Sequence, residues 1–122
     1  MKRDLDLIRQ MLLLIEESKD VPPNSLCVDD FLDLNDKSAV IALHIGLLAD
    51  AGFVEVEKPR HGDITDWSIT RMTFAGYEYL DAIRNDRIWR DVKAKVREVG
   101  GVTFDVIKEL AVEAMKKYLG LS

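Results

Sequence analysis

Apolar positions along the first part of the chain repeat at helical spacing. Leu5, Ile8, Leu12 and Ile15 form one stripe, and Leu7, Met11 and Leu14 a neighbouring one. The period predicts a helix over residues 2–18. A face that wide is buried on more than one side, as in a central core helix or a helix shared across a dimer. Pro22-Pro23 then breaks the chain within a connection over residues 19–24. In residues 25–31, Leu26, Val28 and Phe31 fit a short strand closing against a later hairpin, or a turn of helix together with Leu32. Residues 36–51 read as the next helix, with Asn35, Asp36 or Ser38 as its N-cap. Its buried side is expected at Val40, Ile41, His44, Ile45, Leu47, Leu48 and Ala51, and Gly52 ends it.

The period then changes from helical to alternating. Residues 53–58 and 64–72 read as two strands around a turn at Pro59-Arg60-His61-Gly62-Asp63, with Trp67 and Ile69 on one face. Thr73 caps a helix through residue 84 whose stripe is Phe74, Tyr77, Leu80 and Ile83, with Tyr79 beside it. After a break at Asn85-Asp86, residues 87–99 continue as a helix, with Ile88, Val92, Val96 and Val99 on one side next to Trp89. Gly100-Gly101 stops that helix. Thr103 opens the last one, with a stripe of Phe104, Ile107, Ala111, Ala114 and Tyr118. The expected class is α+β: mainly helical, with one small β-hairpin.

Composition narrows the setting. The chain has 122 residues, 48% apolar and 32% charged, with a net charge of −5. That length fits one domain with a core of its own. The acidic balance argues against a basic footprint over the whole surface but allows a local basic patch. Cys27 is the only cysteine, so no internal disulfide can form. The opening residues lack the apolar run of a signal peptide, and no apolar run is long enough to span a membrane. A cytoplasmic protein with no membrane contact is expected.

The run HIGLLADAGFV, a hairpin, and then MTFAGYEYL resembles the winged-helix DNA-binding domains of bacterial regulators. The resemblance rests on the Ala-Gly-apolar-Val step into the hairpin at 44–54 and the Thr-x-x-Gly-x-x-x-Leu step after it at 73–80. It implies a winged-helix-like domain over residues 1–85, with a C-terminal helical extension over 86–122 packed on it. The segments MKRDLDLIRQMLL, HIGLLADAGF, LDAIRNDRIW and GGVTFDVIKELA also resemble a family of small bacterial and phage or prophage proteins, catalogued as a domain of unknown function. That likeness implies a phage-linked origin and brings no catalytic residues.

Candidate chemistry is sparse. Cys27, His44 and His61 lack metal-ligand spacing, and nothing positions Cys27 against either histidine as a nucleophile. No catalytic residue, metal or cofactor is expected, and the chain does not read as an enzyme. His44 sits among apolar neighbours and reads as a core histidine with one hydrogen bond.

For a winged helix the question is what reads DNA. The exposed positions of the 36–51 helix are expected at Lys37, Ser38, Ala39, Ala42, Gly46, Ala49 and Asp50. Only Lys37 and Ser38 carry donors suited to base edges. The small-residue strip suits packing better, against the C-terminal helix or another protein. No clear positioning helix precedes residue 36. Lys58, Arg60 and His61 cluster at the hairpin tip, where they could reach phosphates or the minor groove. Arg84, Arg87, Arg90, Lys93, Lys95 and Arg97 form the one dense basic surface. The acidic strip of residues 20–36 holds five aspartates and no basic residue. Two partners follow: duplex DNA, as for a transcriptional regulator, or a host or phage protein, as for an adaptor or inhibitor on the same scaffold. A homodimer through the first and last helices is expected as well.

Overall fold

The computed structural model describes residues 2–18 and 25–121. They fall into two units, Met1–Tyr77 and Glu78–Ser122. The expected connection at 19–24 lies outside the described residues. In the first unit, helix α1 (Leu5–Glu17) starts later than its apolar period suggests. Asp4 adopts an extended conformation there, and its carboxylate accepts the Leu7 N–H at 3.0 Å. Leu7, Ile8, Met11, Leu12 and Ile15 are buried.

The short strand expected over 25–31 shrinks to one bridge. Leu26 exchanges both backbone hydrogen bonds with Ile69, at 3.1 and 2.7 Å. Val28–Phe31 then forms a 3-10 turn, because the Asp30 carboxylate folds back onto the Cys27 N–H at 2.8 Å. So a short helical turn does precede the next helix, α2 (Ser38–Asp50).

Lys37 is the N-cap of α2, and its side chain makes no capping bond. Asn35 acts one step earlier by accepting the Lys37 N–H at 2.9 Å. Gly52, at φ 78°, turns the chain out of the helix. The buried face of α2 is rotated from the expected one. Ala42 and Gly46 are buried with Ile41, His44, Ile45 and Leu48, while Val40 and Leu47 are only half-buried. Almost every position of this helix is apolar or small, so the pattern alone leaves its orientation open.

Strands β1 (Val54–Glu57) and β2 (Ser68–Met72) pair antiparallel, from Val54 opposite Met72 to Glu57 opposite Ser68. A bulge falls between Glu55 and Val56. The second strand is shorter than its alternation suggests, because Ile64–Asp66 is a 3-10 turn with Asp63 as its N-cap.

Helix α3 (Phe74–Ile83) crosses the boundary between the units. At its start the Thr73 hydroxyl accepts the Gly76 N–H at 3.1 Å and donates to the Gly52 carbonyl. Gly76 backs onto the hairpin so closely that an added Cβ would lie 2.2 Å from the Phe53 carbonyl oxygen. Of the expected α3 stripe, Leu80 and Ile83 are buried, but Phe74 and Tyr77 are exposed. Tyr79 and Ala82 are buried in their place.

In the second unit, the Asn85 side chain caps α4 (Asp86–Val99) by accepting the Arg87 and Ile88 N–H groups at 3.0 and 3.1 Å. Gly100 closes that helix at φ 83°. Thr103 caps α5 (Phe104–Tyr118) through the Val106 N–H at 3.3 Å. Helices α4 and α5 pack on one another. Ile88, Trp89 and Val92 are buried on α4, and Ile107 and Ala111 on α5. The Phe104 ring meets Tyr79 edge-on, with centroids 5.1 Å apart. Val99 and Tyr118, assigned by spacing to buried stripes, are exposed. Among the described residues no helix is long and apolar enough to cross a membrane.

Candidate nucleic-acid interface

The first unit carries two groups of candidate residues. Lys37 and Ser38 are exposed at the start of α2. Beyond them the helix offers little to a base edge. Ala42 and Gly46 are both buried, and Gly46 is covered by the turn before β2, since a Cβ there would come within 2.8 Å of Ile64 Cδ1. Neither the C-terminal helix nor a second protein is needed to explain the small side chain at Gly46. The positions left partly open along α2 are Ala39, Val40, Leu43, Leu47, Ala49 and Asp50. None of these side chains donates a hydrogen bond.

The hairpin tip carries the second group. Lys58, Arg60 and His61 are exposed. The Lys58 ammonium lies 4.5 Å from the centre of the Trp67 ring, an attraction between a cation and the negative face of an indole. The tip is shaped by its own carboxylates. Asp63 accepts from the Thr65 N–H at 2.9 Å and from the Thr65 hydroxyl, and the Asp63 N–H donates to Asp66 at 3.0 Å. The Thr65 hydroxyl and amide hold the Asp63 carboxyl below its ordinary value. On the strands, Arg71 grips Glu55 through two bonds of 2.7 and 2.9 Å. That fork pulls the Glu55 carboxyl below its usual range and raises the Arg71 guanidinium. The tip cations therefore sit on a framework of ionised acids. Ile64 anchors this framework against the middle of α2.

The second unit holds the basic helix. Arg84 pairs with Asp81 at 2.6 Å. The Arg87 guanidinium lies 5.7 Å from the Tyr118 ring centre, and the Lys93 ammonium 5.9 Å from that of Trp89. Arg90, Lys95 and Arg97 are exposed. Spacings of three and seven residues put Arg87, Arg90 and Arg97 on one side of α4.

His44 is a core residue, fully buried, with two hydrogen bonds rather than one. Its Nε2 accepts the Asp4 N–H at 2.9 Å, and its Nδ1–H donates to the Val40 carbonyl at 2.7 Å. The Asp4 donor assigns the Nδ1–H tautomer. The Cys27 thiol donates to Asp30 at 3.5 Å. Among the described residues no group of three or more His, Cys, Asp or Glu side chains is placed to hold a metal ion. Trp67 under Lys58 and Ile64 over Gly46 were not legible as site residues. Trp67 was readable as a strand residue, and the 3-10 turn before it resets what it faces.

A family model described as "Hypothetical protein (DUF2513)" matches residues 2–103. The chain belongs to the DUF2513 family. This DUF2513 protein is 31% identical over 122 residues to an "Uncharacterized protein" of Haemophilus influenzae, covering 98% of this chain and 99% of that relative. No solved structure matches it. The DUF2513 match runs from before α1 to Thr103, so it includes α2, the hairpin and the basic helix α4.

Proposed function

We propose that this DUF2513 protein is a winged-helix DNA-binding regulator of phage or prophage type, acting in the cytoplasm. It holds duplex DNA through its hairpin tip and the first turn of α2 rather than by reading bases along that helix. One observation carries the reading: the order and pairing of the elements of the first unit. A helix is followed by a bridge onto the second hairpin strand, a short helical turn, a second helix and a hairpin. That order supports a winged-helix reading, in which the first strand is cut to one residue and the positioning helix to one 3-10 turn. On that reading Arg60 and His61 stand at the tip of the wing, where such side chains can enter the minor groove or meet phosphates. Lys37 and Ser38 face the backbone at the start of the second helix. With Gly46 under Ile64 and no donor on the open side of α2, discrimination between sequences rests on groove shape more than on base contacts.

The test is a titration of the protein against labelled duplex at low and moderate salt. Binding should weaken steeply as salt rises. Each phosphate contact removed, as in Lys58→Glu or Arg60→Glu, should lower the salt slope by about 1. Absence of binding at micromolar protein in low salt removes the proposal.

A second reading keeps the scaffold and gives it a protein partner, as an adaptor or inhibitor. It is favoured by the apolar line Ala39, Leu43 and Leu47 on the partly open side of α2 and by the exposure of Phe74 at 78%. Retained DNA binding in a Lys58→Glu, Arg60→Glu and Lys37→Glu triple variant would overturn the contacts assigned to the tip and to the first turn of α2. Loss of host-protein capture on Leu43→Asp, with DNA binding unchanged, would favour the second.

A further inference from the structure

Between residues 25 and 36 there is no cation, and Asp29, Asp33 and Asp36 are exposed. Asp30 is already engaged in the turn through Cys27. Cations gather locally along α4, at Arg87, Arg90, Lys93, Lys95 and Arg97. A groove of about 500 Å³ runs between α4 and α5, with Arg87, Lys95 and Lys117 along it and Tyr118 at one end. Arg90 and Arg97 extend the basic surface beside it. Ala94 and Ala114 leave the groove open to an incoming apolar side chain.

We propose that this α4–α5 face docks the acidic 29–36 edge of a second copy of the chain. The proposal is independent of the DNA reading, which uses the first unit's tip. Charge complementarity selects the occupant, because each copy presents both the acidic 29–36 edge and the basic α4–α5 face. Leu32 and Leu34, half-buried within that edge, supply the apolar side chains that the small positions of the groove can receive. A nucleic acid suits the face less well. Asp91 lines the groove and Glu98 follows Arg97, both exposed, so a polyphosphate would meet carboxylates along its path. The edge differs from a polyphosphate in spacing its aspartates with Leu32 and Leu34, which can lie against Ala94 and Ala114 where a phosphate chain has nothing apolar to place.

The test is sedimentation velocity on the full chain over a concentration series. The screening length shortens from about 10 Å at 0.1 M salt to about 3 Å at 1 M, so self-association should be present at low salt and lost at high salt. Arg90→Glu with Arg97→Glu, and separately Asp29→Lys with Asp33→Lys, should each weaken it by about tenfold or more. All four positions are exposed, so the variants should keep the wild-type circular dichroism spectrum. Mixing the two reversed proteins should restore association between them, because the new acids face the new lysines. A monomer at every concentration in low salt overturns the proposal. Self-association that ignores both salt and the reversals overturns it too, as does a mixture that fails to recover.

Discussion

Replacing His44 with leucine keeps the bulk of a fully buried side chain and removes both of its hydrogen bonds. The two lost bonds are unequal. The Val40 carbonyl lies four residues before His44 in α2 and still accepts the helical N–H of residue 44, so it keeps a partner. The Asp4 N–H has no such reserve. It is the cap amide of α1, and its acceptor is the imidazole. Leaving a buried donor unpaired costs about 1–3 kcal/mol. Asp4 is itself exposed, so water reaches this amide in part and the low end of that range applies. His44→Leu should therefore cost about 1 kcal/mol, and His44→Ala about 3 kcal/mol once the cavity is added. For a chain of this length, about 1 kcal/mol corresponds to a fall of about 4 °C in Tm. Urea unfolding should show a lower midpoint at unchanged slope. Hydrogen exchange gives the local readout: the Asp4 amide should be protected in the wild type and exchange fast in His44→Leu. A leucine variant as stable as wild type, with that amide still protected, would refute the reasoning.

Two further outcomes follow from the hairpin. Gly76→Ala should destabilise by at least about 1–3 kcal/mol, since the new Cβ would meet the Phe53 carbonyl at 2.2 Å and a backbone atom cannot step aside as a side chain can; a thermal melt matching wild type would show that the two segments separate easily. Glu55 and Asp63 have folded-state values below their ordinary 4.5 and 3.8. Their contribution is thus present above those values and lost as pH falls through the lower folded ones, so the hairpin should loosen below about pH 4. Amide exchange across β1 and β2 should show this acid limb, and Glu55→Gln with Asp63→Asn should flatten it. An unchanged limb in the double variant would place the acid sensitivity elsewhere.

The punctuation of the chain was legible. Gly52, Thr73, Gly100 and Thr103 act where capping chemistry puts them, because a cap needs only its own turn. The helix faces were legible in part. Spacing says which residues share a face but not which faces are covered, so Phe74, Tyr77, Val99 and Tyr118 fall on apolar stripes and are nonetheless exposed. Helix α2 shows the difficulty at its sharpest. Its apolar and small residues run all round, and its orientation depends on where a hairpin many residues later places Ile64. The candidate site shows the same division. Lys58 and Arg60 were readable as the cations of a turn, with His61 beside them. The stacking of Lys58 on Trp67 depends on a 3-10 turn whose capping aspartate also fits an ordinary loop.

The seat of Ile64 on Gly46 has an evolutionary corollary. The two positions share one volume, so a lineage that enlarges residue 46 must shorten or reroute residue 64, in either order of substitution. The clash is with the far end of a flexible side chain, which makes the intermediate steps mild and the exchange accessible. Relatives with alanine or serine at position 46 should therefore carry a smaller residue at position 64, and where both have changed the hairpin should stand further from the helix. That would uncover the surface of α2 that Ile64 occupies here, so a single paired exchange would change what that helix can touch.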